Sequence, residues 1–216
     1  MNINNGLIEG QPRGGLPLIV SVLSVAAIVW FFLFAVKGTP FWTVIAIATF
    51  VLGSISIIVY PDTLRASLKT WLMHIALGLL VAGILYFIFY VGNIIVRLLP
   101  FGSSGVEAVY GTKSQASDRT ILMLLLFPVG PGEELFWRGL VQRALSARLG
   151  PLKGFIIATL LYTAVHLPSM NITLIGAAAV GGIVWGLLYR KVKHIGPGIV
   201  SHAIWDAAVF VLFPFT

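Results

Sequence analysis

Apolar residues run through this chain in stretches of about 20, long enough for each to cross the hydrocarbon core of a bilayer as a helix. No other sequence feature narrows the fold as much. Of the 216 residues, 58% are hydrophobic and only 10% are charged. A soluble domain of that size would lack the polar surface to cover its core. The sequence therefore reads as all-α, a polytopic transmembrane helical bundle of about seven helices, with no separate soluble domain. Cysteine is absent, which removes disulfides, thiolate metal sites and cysteine nucleophiles together. The net charge of +7 lies in loops between apolar runs, a pattern of membrane orientation rather than nucleic-acid binding.

The segments follow in order. Residues 1–15 form a polar tail rich in Gly and Asn. Three helices occupy residues 16–100: Leu16 to Val36, Phe41 to Tyr60, and about Leu72 to Val96. No clear small-residue cleavage site follows the first, so it reads as an anchor. Phe101 to Asp118 is a polar loop, and residues 119–216 make the candidate catalytic core. The fourth helix begins at Ile121, breaks at Pro128-Val129-Gly130-Pro131-Gly132 and resumes through about Leu149. Pro131 suits the first position of the restarted helix, whose opening turn carries Glu133 and Glu134. Broken helices at membrane depth are buried or line a cavity. Phe155 to Leu167 is short enough to be re-entrant, and Ile172 to Tyr189 and Ile195 to Phe215 complete the set. Gly181, Gly182 and Gly186 permit close helix packing.

With alternating spans, one side of the membrane receives Arg13, Arg65, Lys69, Arg143, Arg148, Lys153, Arg190, Lys191 and Lys193. The other receives Lys37, Arg97, Lys113 and Arg119. The richer side should be cytoplasmic, with the N-terminus inside and the C-terminus outside.

The chain has seven acidic residues, and Glu133, Glu134 and Asp206 lie within apolar helices, as do Arg138, His166 and His202. Charged groups at that depth cost a few kcal/mol each, so they are paired or functional. Counting about 1.5 Å per residue puts Glu133, His166 and Asp206 roughly 15–25 Å deep, with His202 shallower. Glu134 and Arg138 are spaced to pair on one helix face. Glu133 points about 100° away around the helix with no local partner, as a general base or proton carrier would. His166 alone reads as a core histidine, and Asp206 is spaced to orient the His202 ring. Convergence of all six favours function. His74 and His194 flank basic loops and read as interfacial. There is no His-Glu-x-x-His zinc motif, no Gly-x-Ser-x-Gly elbow and no phosphate-binding glycine loop.

Three motifs carry a resemblance. Glu133-Glu134-Leu135-Phe136-Trp137-Arg138 fits Glu-Glu-x-x-x-Arg, Tyr162 to His166 fits aromatic-x-x-x-His, and His202 to Asp206 fits His-x-x-x-Asn/Asp. In this order they resemble the CAAX protease and bacteriocin-processing family of intramembrane proteases, which includes the Ras-converting type of prenyl endopeptidase. The resemblance covers roughly Ile121 to Phe215. It implies an endopeptidase acting on a membrane-associated peptide or protein, prenylated in the CAAX type. Glu133 would activate a water held jointly with His166, and His202 with Asp206 would stabilise the oxyanion. Glu134 and Arg138 would support them. Tyr162 stands where the usual residue is Phe, and Asp206 where Asn is common.

The residues leave the cofactor open. Glu133, His166 and His202 are candidate ligands for a divalent metal such as zinc, and a metal-free glutamate mechanism is equally compatible. Two other functions compete: a non-catalytic immunity or abortive-infection type membrane protein, and a proton-coupled transporter. Intact motifs argue against the first, and the lack of duplicated halves against the second.

Overall fold

The computed structural model describes residues 15–100 and 102–215. Except for Gly15, the tail expected over residues 1–15 lies outside the described residues, and so do Arg13, Phe101 and Thr216. The described residues form α1 (Gly15–Ala35), α2 (Phe41–Val59), α3 (Leu68–Arg97) and α4 (Gly102–Gly111). There follow α5 (Asp118–Leu149), α6 (Pro151–Ala164), α7 (Ile172–Val192) and α8 (Gly196–Ala207), which runs on into a wide turn at Ala208–Leu212. The protein is the all-α polytopic bundle that its apolar runs required. Among the described residues, six helical segments are long and apolar enough to cross a membrane: Gly15–Ala35, Phe41–Val59, Leu68–Arg97, Asp118–Leu149, Pro151–Ser169 and Ile172–Val192. Gly196–Leu212 is a shorter apolar seventh.

Local chemistry moves several boundaries away from the apolar runs. Ser67 accepts a hydrogen bond from the Thr70 backbone N–H, so α3 starts at Leu68, a turn before Leu72. Gly150, with φ +87°, reverses the chain, and Pro151 opens α6 four residues before the apolarity begins at Phe155. The expected polar loop before Asp118 contains α4 and a tight turn at Thr112–Gln115. That turn is tied to the start of α2, where Trp42 Nε1–H donates to the Thr112 carbonyl and the Phe41 N–H to Gln115 Oε1.

The break in the fourth span takes the form of wide, π-helical turns inside a helix that stays continuous. They occupy Leu125–Val129, around Pro128, and Leu135–Gln142. Pro128 has no N–H to donate, and the Gly130 N–H reaches back to the Leu125 carbonyl, five residues away. The second wide stretch is partnered from α2, where the Ser56 hydroxyl donates to the Leu135 carbonyl at 2.6 Å. Glycines let α5 touch its neighbours closely. A Cβ on Gly132 would lie 2.5 Å from the Thr49 carbonyl oxygen, and one on Gly130 2.9 Å from the Ala203 Cα.

Cross-helix bonds fix which ends lie together. Ser56 meets Leu135, and Arg143 binds Asp62 at 2.8 Å, so α2 runs parallel to α5. Arg138 and Gln142 reach the carbonyls of Gly182 and Gly186, so α7 runs parallel to α5 as well. One end of the bundle therefore carries Arg65, Lys69, Arg143, Arg148, Lys153, Arg190, Lys191 and Lys193. At the far end Arg97 donates to the Phe215 carbonyl and Asn171 to the Gly105 carbonyl. Asn171 follows directly on the fifth segment, which therefore runs through to the far end rather than turning back midway.

Candidate active site

Glu134 lies near the middle of α5 and is 1% exposed. Its Oε1 accepts from Arg138 Nη1 at 2.8 Å and from His202 Nδ1 at 3.1 Å. Two donors on one oxygen are what an ionised carboxylate attracts. Arg138 also donates to the Gly182 carbonyl at 3.4 Å, and its guanidinium lies over the rings of Tyr162 at 4.7 Å and Trp185 at 5.5 Å. The pair that spacing alone made local is thus the junction of α5, α6, α7 and α8. Closeness here depends on Gly198, where a Cβ would lie 2.7 Å from Glu134 Oε2.

His202, on α8, is held on three sides. Glu134 takes Nδ1, the Trp185 indole stacks on the imidazole with centroids 3.7 Å apart at 16°, and Asp206 Oδ2 lies 3.6 Å from Nε2. That last distance is too long for a hydrogen bond and leaves Nε2 open to a substrate. The depth count made His202 shallower than the acids, yet it meets Glu134 directly. The cause is the inset start of α8: Gly196 is buried against His74, about two turns inside α3. His74 itself is buried and stacked on His194 with centroids 4.3 Å apart, near the end of the bundle that carries Lys69 and Lys193.

His166 follows the end of α6. Its Nδ1–H donates to the carbonyl of Tyr162, one turn back, at 2.8 Å. A neutral ring then carries its lone pair on Nε2. The ring sits between Tyr162 at 5.1 Å and Phe34 of α1 at 5.4 Å. Glu133 is buried, and its Oε2 has no hydrogen-bond partner among the described residues. It lies within electrostatic reach of Tyr162, His166, His202 and Asp206 and so belongs to the same cluster. All six polar residues singled out in the sequence belong to this one buried region.

Two members escaped the sequence reading. Gln142 donates to the Gly186 carbonyl at 2.9 Å, and Trp185 donates through Nε1 to Ser201 Oγ at 3.1 Å. Gln142 lies four residues beyond Arg138, the same spacing that singled out Glu134. Trp185 stands one turn after Gly181, and its ring lies over the space that a Gly181 Cβ would fill, 2.7 Å from the nearest ring carbon. Among the described residues no three His, Cys, Asp or Glu side chains are grouped to hold a metal ion. Nδ1 of both histidines is already committed, so a metal would depend on their Nε2 atoms and Glu133 being drawn together.

Residues 116–208, somewhat under half of the chain, match the family model described as Rce1-like, type II CAAX prenyl endopeptidase. The match takes in Glu133, His166, His202 and Asp206. No curated protein and no solved structure matches the chain.

Proposed function

Taking residues 116–208 as a CAAX-protease segment, we propose that the chain is an intramembrane endopeptidase that hydrolyses a membrane-associated, CAAX-type prenylated substrate through a water activated by Glu133. One observation carries this reading. An unpartnered Glu133 oxygen and the lone-pair nitrogen of His166 come from different helices into one buried cluster with His202.

In the proposed reaction the water donates one hydrogen bond to Glu133 and the other to His166 Nε2, which leaves an oxygen lone pair for the scissile carbonyl. As the C–O bond forms, Glu133 takes the proton and negative charge grows on the carbonyl oxygen. A proton carried by His202 Nε2 or by Asp206 Oδ2 supplies the donor for that oxyanion. Such a donor contributes about 10²–10³ in kcat. Glu133 then delivers its proton to the leaving amine as the C–N bond breaks. Glu134 holds the Nδ1 side of His202 throughout, and no step is routed through a metal.

The test is hydrolysis of prenylated and unprenylated CAAX peptides by detergent-purified protein. Wild type should cleave the prenylated peptide. Glu133→Gln should lose turnover while eluting as a folded monodisperse species. Near-normal cleavage by Glu133→Gln would remove the general-base assignment, and no cleavage of any peptide by wild type would favour the non-catalytic membrane protein.

A further inference from the structure

We propose that Trp185 is a positioning residue of this site, fixing the plane of the His202 imidazole so that Nε2 faces the reacting carbonyl. The inference rests on the peptidase reading for its kinetic consequence, though not for its geometry. The ring moves by turning about its Cα–Cβ and Cβ–Cγ bonds, and the one 3.1 Å contact at Nδ1 restrains those torsions only as firmly as a single hydrogen bond can. The near-parallel indole, 3.7 Å away at 16°, removes that freedom. Rotation would carry Nε2 away from both Asp206 and the substrate.

The indole is itself held in place. Its Nε1–H donates to Ser201 Oγ, so the residue preceding His202 pins the platform on which His202 lies. The Trp205 ring meets it edge-on at 5.6 Å, and the Arg138 guanidinium lies 5.5 Å from its ring. Trp185 and Ser201 are both buried. A tryptophan that only filled space would still need a partner for its buried N–H, but it would not need a face parallel to the imidazole. An indole face also attracts a charged imidazole more than a neutral one, so the stack couples to the protonation of His202.

Two readouts test this in the full-length protein. The chain has only four histidines, and the His202 ring resonances are identified by their loss in His202→Gln. In wild type its ring protons should be shifted upfield by the indole. They should return to ordinary positions in Trp185→Leu, stay upfield in Trp185→Phe, and relax part of the way in Ser201→Ala. With a prenylated CAAX peptide, Trp185→Leu should lower kcat about 10- to 100-fold with KM little changed, and should displace the pH profile of kcat. Trp185→Phe should restore most of the rate. If Trp185→Leu does not fold, the Trp185→Phe and Ser201→Ala comparison carries the test alone. Hydrolysis that depends on Glu133 while His202 shows no upfield shift overturns the positioning role and spares the peptidase reading. An upfield shift without any Glu133-dependent hydrolysis overturns both. A shift lost with kcat unchanged and KM raised overturns the positioning role.

Discussion

His202 Nδ1 lies 3.1 Å from Glu134 Oε1, a contact between residues 68 apart in sequence that ties α8 to the centre of α5. The same oxygen balances the Arg138 guanidinium. One carboxylate therefore neutralises a buried cation and aims an imidazole. Asp206, the closer partner of His202 in sequence, is the more distant one in space.

Glu134→Ala should for that reason cost more than a typical catalytic substitution. It strands Arg138 in a buried site, where breaking an ion pair from one side costs about 3–5 kcal/mol. Thermal unfolding in detergent should show a large drop in midpoint, and a smaller one for Glu134→Gln, whose amide oxygen still accepts. An unchanged midpoint for Glu134→Ala would show that the carboxylate carries little of the helix junction.

The glycines of α5 give a contrast within one residue type. Gly132→Ala places a Cβ 2.5 Å from a backbone oxygen of α2, so helices must separate, and overpacking of this kind costs about 1–3 kcal/mol. Gly83→Ala meets nothing within 4 Å on the outer side of α3 and should be neutral or stabilise by up to about 1 kcal/mol. Unfolding midpoints of the two variants should move apart. Equal midpoints would count against the close contact of α2 and α5.

Much of this architecture was legible before any coordinates. Bilayer-length apolar runs fixed the helix class, and the cost of burying Glu133, Glu134, Arg138, His166, His202 and Asp206 singled out the cluster. Partnership was harder to read, because i,i+4 spacing shows only contacts within one helix. It paired His202 with Asp206 and could not see Glu134 arriving from α5, nor Trp185 from α7. Counting residues made His202 shallower because it assumes that all helices start level, whereas the start of α8 packs against His74, about two turns into α3. The π-helical form of α5 was also hidden. Pro128 signalled a lost hydrogen bond without saying whether the helix would stop or widen.

Outside the membrane-spanning segments, Asp62 gives a pH prediction. The hydrogen bond from Arg143 holds its carboxyl below the ordinary value of 3.8. A depressed folded-state value means stability that is present above the unfolded value and lost as pH falls through the folded one. The pair should therefore contribute at neutral pH and fade below about pH 4. Asp62 is 40% exposed, so solvent screening limits the contribution to under about 1 kcal/mol. Asp62→Asn should lower the midpoint slightly at neutral pH and not in strong acid. A deficit that persisted in acid would point to something other than this charge pair.

The parallel register of α2, α5 and α7 puts Arg148 and Lys191 at one end and Lys113 at the other. The excess of Lys and Arg at the first end predicts that it is cytoplasmic. Because the chain has no cysteine, single cysteines at 148, 191 and 113 can be introduced without background. An impermeant thiol reagent added to intact cells should modify position 113 alone. Labelling of 148 and 191 from outside would invert the orientation, and labelling of only one of them would contradict the shared end.

Asp206 decides between two chemistries for the site. Its Oδ2 lies 3.6 Å from His202 Nε2, beyond hydrogen-bond length, so both groups are left to act on the substrate. If position 206 works through hydrogen bonding, Asp206→Asn should keep most of the activity, because the amide supplies an N–H donor of the same shape. A metal-ligand role predicts the reverse, since an amide is a poor replacement for a carboxylate on zinc. Activity and bound metal should be measured together for wild type and Asp206→Asn, before and after chelation. Retained activity in the variant, unaffected by chelator, supports the hydrogen-bonding role beside His202. If activity and stoichiometric zinc disappear together, the acid is holding a cation, and the oxyanion donor must come from elsewhere in the cluster.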